Sequence, residues 1–285
     1  MEQGYFITGT DTNAGKTWAT IALMRYFKQQ GKSVAGMKPV ASGCSFPCPA
    51  PISILNSPVT NGNPVPPFEK GGLGGIFSSI CYPSNPPPPP FFKGGSPGLG
   101  LVYKDEYSAR ERLVVQLKNE DALLIQENAS LQIDYDLINP YAYQLPVSPH
   151  IAGINNPVKL AKIVESFNVL KELADIVLVE GAGGWYAPLN DREDISDLAK
   201  ALALPVILVV AIRLGCINHA KLTWQAIHHS GIPCAGWIAV CVDPDMLNRD
   251  ENIHTIKTAL KVPLLGVLPY LASADFDFLA SKLAL

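Results

Sequence analysis

The stretch Gly9-Thr10-Asp11-Thr12-Asn13-Ala14-Gly15-Lys16-Thr17 (GTDTNAGKT) follows the apolar run Tyr5-Phe6-Ile7-Thr8 and leads straight into a helical pattern. On that helix Ala19, Ala22, Leu23, Tyr26 and Phe27 share one face, and Gly31 ends it. A strand, a glycine-bearing turn and Gly-Lys-Thr opening a helix make a polyphosphate site. Backbone N–H groups are exposed at such a turn, and the helix dipole adds positive potential. Lys16 is expected to reach the terminal phosphates, and the Thr17 hydroxyl to hold Mg²⁺. Five residues separate Gly9 from Gly15, one more than in the common pattern. An ordinary strand–helix turn is the competing reading, and the flanking strand and amphipathic helix argue against it.

Outward from this turn, short apolar runs alternate with helical stretches. Val34 to Val40, Ile176 to Glu180, Val206 to Ala211, Ala235 to Val242 and Leu264 to Leu268 read as strands. Most lack polar alternation, as strands buried on both faces should. The expected fold is α/β: a doubly wound, mainly parallel sheet with helices on both faces, of the P-loop NTPase type. Ligands in such sheets collect at the carboxyl ends of the strands.

Two further motifs fall at those ends. Lys38-Pro39-Val40-Ala41-Ser42-Gly43 brings a cation and a hydroxyl to the rim that carries the turn. Its bland reading is a solvated strand-end lysine. Val179-Glu180-Gly181-Ala182-Gly183-Gly184 places a carboxylate before small residues that permit close approach, which suits a Mg²⁺ ligand beside phosphates. A capping or surface carboxylate is the alternative.

The 285 residues, 48% hydrophobic, suffice for one large core or two small ones. A net charge of -3 and a pI near 6.0 show no commitment to nucleic acid or to an anionic membrane. No apolar run is long enough to span a bilayer, and the N-terminus lacks a secretory pattern. The cysteines at 44, 48, 81, 216, 234 and 241 show no zinc-site spacing and are expected to be reduced thiols of a cytoplasmic protein. His150, His219, His228, His229 and His254 show no ligand spacing either.

One segment stands apart. From about Ser45 to Lys104 the chain is rich in Pro, Gly, Ser and Asn, with an unbroken proline run from Pro86 to Pro90. Pro67-Phe68-Glu69-Lys70-Gly71-Gly72 is echoed by Pro90-Phe91-Phe92-Lys93-Gly94-Gly95. So few periodic apolar residues cannot bury a core. The expectation is one P-loop domain over 1–285, interrupted at about 45–104 by a disordered insertion; a partner-binding polyproline arm is the alternative. A helical look over 108–128, with Leu113, Leu117 and Leu124, resumes the domain.

GTDTNAGKT, KPVASG (38–43), NEDALLIQENASLQIDYDLINPYAY (119–143), SPHIAG (148–153), VEGAGGWYAPL (179–189) and LGCINHA (214–220) occur in this order. Together they resemble the dethiobiotin synthetase family, from the first strand to about Leu271, insertion excepted. The resemblance implies an ATP-dependent cyclo-ligase, a ligase forming C–N bonds, in biotin biosynthesis. It joins CO₂ (or bicarbonate) to 7,8-diaminopelargonate through a carbamate and a carbamic-phosphoric anhydride. It further implies Lys38 as the catalytic cation beside the carbamate, with Ser42 on the substrate. Lys16 and Mg²⁺ stabilise the γ-phosphoryl group, and Thr17, Asp121 and Glu180 are the metal's ligands or near neighbours. Asn13, Ala14, Gly15, Lys16, Thr17 and Trp18 form the nucleotide cradle, joined by Gly181, Ala182 and Gly183. Pro269, Tyr270 and Leu271 border the base. Asp11 and Thr12 touch phosphate or carbamate, although Asp11 could instead cap a turn. Leu214, Gly215, Cys216 and Asn218 head a helix whose N–H groups take the substrate carboxylate across a homodimer interface. A nucleophilic Cys216 is not required by this chemistry.

The chain departs from the family pattern at Ala239-Val240-Cys241-Val242, where an Asn-Asp pair often meets the adenine. The insertion separates Ser42 from Asp121, which leaves Asp121 without an obvious tether. Two other readings share the architecture. ATP-driven dimer switches of the chromosome-partitioning type usually carry an extra early lysine, where this chain has Asp11 or Thr12. Amidating enzymes of cobalamin synthesis need a glutamine-hydrolysing domain, for which no length remains.

Overall fold

In this computed structural model the first six described residues form a strand with its last four positions fully shielded, and the glycine turn leaves it at once. The structure describes residues 4–46 and 116–285. They belong to one compact unit. The expected insertion, Leu113, Cys48 and Cys81 therefore lie outside the described residues, apart from the insertion's first two positions.

The amino-terminal half of the unit runs β1 (Gly4–Gly9), α1 (Lys16–Gln29), β2 (Val34–Met37), β3 (Val40–Ser42), α2 (Glu120–Glu127), α3 (Tyr135–Ile138), β4 (Tyr141–Tyr143), α4 (Pro149–Ala152) and α5 (Leu160–Leu173). It continues through β5 (Ile176–Gly184), α6 (Ile195–Leu202), β6 (Val206–Ile212), α7 (Cys216–His229), β7 (Cys234–Cys241), α8 (Arg249–Leu260), β8 (Leu264–Leu268) and α9 (Phe276–Ala280). Six strands form one sheet in the order β2-β5-β1-β6-β7-β8, every pair parallel. This is the expected doubly wound α/β fold. Every residue of β6 is buried, which is why VILVVAI shows no polar alternation. Among the described residues no helix is long and apolar enough to cross a membrane.

The run Val34 to Val40 is not one strand. β2 stops at Met37, and β3 pairs with β4 in a separate two-stranded parallel sheet. Pro39 has no N–H to continue a ladder. Lys38 instead donates its N–H to the Ile138 carbonyl at 2.9 Å, and its own carbonyl accepts from Asn139 Nδ2 at 2.7 Å. The chain thus steps out of the sheet at Lys38.

Of the helical look over 108–128, residues 108–115 lie outside the described residues. α2 begins at Glu120, with the Asn119 side chain accepting from the Ala122 N–H at 3.2 Å as its cap, so Leu117 lies outside the helix. Asp121 is well tethered. Ser45 and Lys118 exchange two backbone hydrogen bonds, at 2.9 and 2.8 Å, tying the stretch after β3 to the stretch before α2. The Tyr135 hydroxyl accepts from the Asn119 N–H at 2.8 Å and donates to Asn139 Oδ1 at 3.0 Å. Ile125 is fully buried, seated where Gly36 lacks a side chain: a Cβ there would lie 2.4 Å from Ile125 Cγ2 and 3.2 Å from Met24 Cε.

Two outcomes follow from this anchoring. Gly36→Val is expected to lower unfolding stability by about 1–3 kcal/mol through overpacking, measured by urea denaturation, with Ile125→Ala in the same chain recovering part of the loss. Replacing residues 47–115 by a short Gly/Ser tie should raise stability by about 2 kcal/mol, because a shorter loop costs less to close. Loss of folding in the shortened chain would contradict the bridge at Ser45 and Lys118.

Candidate active site

α1 opens at Gly15, whose φ of 83° lies in the left-handed region, and Asn13 before it has φ 62°. Two such residues fold the turn back over the end of β1 so that its amides face one way. No side chain caps α1 and no acidic residue stands in its first turn. Its leading N–H groups are therefore left for an outside acceptor, in the geometry that suits an anion. A side chain at position 15 would be strained and would strike Val240 Cγ1 at 2.7 Å. Val240, in the departure from the family pattern, thus lies directly beneath the loop.

Lys16 folds back over the turn, with Nζ donating to the Asp11 carbonyl at 2.8 Å. Burial is the main influence on it and holds the ammonium down at about 8, although Glu180 pulls the other way. Thr17 points its hydroxyl to Glu180 Oε1 at 2.9 Å.

Glu180 stands within β5 rather than at its end and is fully buried. Its Oε1 accepts from Lys38 Nζ at 2.8 Å as well as from Thr17, and Lys38 also meets Asp121 Oδ2 at 2.5 Å. Burial opposes the Lys38 charge, but Glu180 and Asp121 together outweigh it and hold the ammonium above the usual lysine range. Lys38 is therefore neither a solvated strand-end lysine nor a free rim cation. It stays charged at any working pH because two carboxylates surround it. Glu180 Oε2, by contrast, is buried without a hydrogen-bond partner, as is Ser42 Oγ.

These groups line one cleft of about 620 Å³. Of the sequence candidates, Thr12, Asn13, Gly15, Lys16, Thr17, Trp18, Lys38, Ser42, Asp121, Glu180, Gly181, Ala182 and Gly183 face it. Ala14 does not; it is fully buried behind the turn. Pro269, Tyr270 and Leu271 follow β8 and lie outside the cleft wall. The head of α7 forms a separate cavity of about 590 Å³, walled by Leu214, Gly215 and Asn218 with Lys221, Gln225 and Asn252 among its neighbours. Cys216 does not reach that cavity; it is buried, its thiol turned toward Asn252. α7 starts as α1 does, after a left-handed glycine (Gly215, φ 92°), with no side-chain cap and no acid in its first turn.

The cleft also takes in Asn119, Val40 and the turn Pro146-Val147-Ser148-Pro149, which residue chemistry alone does not single out. The block SPHIAG was the available signal for that turn. Arg213, whose guanidinium pairs with Asp11 Oδ2, was signalled by nothing beyond its place before LGCINHA.

An oxygen-only donor set of one hydroxyl and two carboxylates suits a hard cation such as Mg²⁺. The partnerless, fully buried Glu180 Oε2 is the feature that such an ion would answer. Among the described residues no group of three or more His, Cys, Asp or Glu side chains is placed to hold a metal. A cation here would therefore depend on Thr17 and on oxygens brought by a phosphate ligand.

A family model described as an AAA domain matches residues 3–45 and 109–276. The ATP-dependent dethiobiotin synthetase BioD of Aromatoleum aromaticum is 36% identical over 285 residues, covering 99% of this chain and 97% of that protein. BioD 1 of Escherichia coli strain K12 is 36% identical over 274 residues, covering 95% and 92%. The Nitrosospira multiformis enzyme is also 36% identical, covering 99% and 95%. Among solved structures, the MinC:MinD cell division protein complex of Aquifex aeolicus is similar at a TM-score of 0.46 and 12% identity, covering 98% of this chain and 86% of that one. With relatives of this similarity matched along nearly their whole length, the chain belongs to the ATP-dependent dethiobiotin synthetase family.

Proposed function

We propose that this chain closes the ureido ring of dethiobiotin from 7,8-diaminopelargonate and CO₂, converting ATP to ADP and phosphate. The observation that carries the reading is the shared carboxylate of Glu180, which joins Thr17 of the phosphate loop to Lys38. A phosphate anchor and a permanently charged lysine are thereby held side by side, as a reaction between a carbamate and a γ-phosphoryl group requires.

One amine of the diamine adds to CO₂ and loses a proton, giving a carbamate. Lys38 donates to its oxygens and stabilises the charge, while Ser42 orients the substrate, a role supported by its partnerless hydroxyl in the cleft wall. A carbamate oxygen then attacks the γ-phosphorus, and ADP leaves. Lys16, turned from the Asp11 carbonyl to the phosphates, neutralises the transferring group together with the amides of 13–17. The second amine attacks the anhydride carbon and gives up a proton to the departing phosphate, and the ring closes. Thr17, Glu180 and Asp121 would hold a Mg²⁺ ion, which would add positive charge beside the phosphates. The head of α7 is the candidate for the substrate carboxylate, supplied across a homodimer interface. Supporting this are its uncapped N-terminus and the outward apolar residues Leu214 and Leu222, 96% and 57% exposed. The chain is taken to work in the cytoplasm, as one P-loop domain whose segment at about 45–104 takes no part in catalysis.

Incubation with diaminopelargonate, bicarbonate, Mg²⁺ and ATP should yield the cyclic urea by mass spectrometry, with little ATP turnover when the diamine is left out. Brisk turnover without diamine and no urea would favour a partitioning-type switch. Lys38→Ala is expected to cut product formation by about 10²–10³-fold or more while ATP binding survives. Because Lys16 is held at about 8 by burial, it is charged at neutral pH and loses its proton as the pH rises through that value. The bound form needs the charge, so ATP affinity in magnesium-free buffer should weaken by up to about tenfold per pH unit above it. Equal affinities at pH 7 and 9 by calorimetry would contradict that role.

A further inference from the structure

A carboxylate inside an anion-binding loop needs a physical reason. Asp11 sits between Gly9 and Gly15, where a triphosphate would repel it, yet its Oδ2 is engaged by Arg213 Nη2 and its Oδ1 is buried without a partner. The same residue's carbonyl is the acceptor for Lys16 Nζ. The orientation of the Asp11 peptide thus sets where the loop's own lysine rests. The loop is held from the same side at a second point, since the Thr10 N–H donates to the Val209 carbonyl of β6 at 3.0 Å.

Arg213 follows directly on β6 and precedes Leu214 and Gly215, the residues that lead into α7. One ion pair therefore ties the phosphate loop to the segment that shapes the second cavity. The side chains of Arg213 and Asp11 are 44% and 27% exposed, so the pair adds little to global stability. Its effect is local: one charged nitrogen on one carboxylate oxygen holds the Asp11 side chain in a single direction.

We infer that Arg213 is a positioning residue of the nucleotide site: through Asp11 it fixes the loop peptide from which Lys16 turns to the phosphates, and it ties that loop to the head of α7. The inference rests on the reading of the loop as an ATP site, and the unaltered chain tests that reading separately. Simple charge neutralisation makes a different forecast, since removing Asp11 would then relieve repulsion and tighten ATP binding.

The experiment is calorimetric titration of ATP with Mg²⁺ into the full chain and into Arg213→Ala, Asp11→Ala, the double variant and Arg213→Lys, with thermal unfolding of each. The expected result is affinity about tenfold weaker in each alanine variant, and no weaker in the double variant than in either single one. Arg213→Lys should recover most of the loss, at unchanged melting temperatures. Tighter binding in Asp11→Ala, multiplying losses in the double variant, unaltered affinity throughout, or a loss that tracks a fall in melting temperature would each overturn the inference. If the unaltered chain takes up no ATP, the functional reading fails and this inference with it. If it binds and the variants match it, only the role of Arg213 is lost.

Discussion

The structure turns on one buried carboxylate. Glu180 lies within a parallel strand with no solvent access, where an unpaired charge would cost several kcal/mol after relaxation. Lys38 and Thr17 answer one of its oxygens, and Lys38 in turn holds Asp121. Four residues from the phosphate loop, the end of β2, α2 and β5 are thus bound into one electrostatic unit. None can move without leaving another charge poorly compensated. Family membership and site geometry meet here, because the blocks that identify the family are the ones that deliver these groups.

Around this centre the fold uses one device twice. α1 and α7 each follow a strand, each begin after a glycine in the left-handed region, and each leave their first amides uncapped. α2 and α6 spend a side chain on their caps, Asn119 and Asp194. A helix end that faces water or a ligand can leave its donors open, whereas one packed against protein needs them satisfied. The open ends border the two cavities, both at the carboxyl edge of the sheet.

Ser42 and Asp121, two parts of the site, stand far apart in the chain, and described residues on both sides bring them to one cleft. The paired backbone bonds of Ser45 and Lys118 join the stretch after β3 to the stretch before α2, and the relay Asn119–Tyr135–Asn139–Lys38 holds the start of α2 beside the lysine. Burial of Tyr135 in that relay pushes its phenol up to about 12, so it remains a neutral donor and acceptor.

Much of this was legible in the residues. The turn at 9–17, the parallel order of strands and helices and the position of Lys16 and Thr17 at the head of α1 follow from local pattern, since backbone geometry and periodicity are short-range properties. The apolar run through Val40 misled, because a hydrophobic run carries no record of which neighbour its backbone bonds; Pro39 was the clue to the break. Asp121 looked untethered because its anchors, Ser45, Gly36 and Tyr135, are far from it along the chain. The sequence by itself determined the kind of fold and the chemical groups available to it. Only the tertiary structure decided that Lys38 is enclosed by two carboxylates, that Glu180 is buried mid-strand and that Arg213 reaches Asp11. Charge pairing and burial depend on distances through space, which residues remote in the chain acquire only when the sheet assembles.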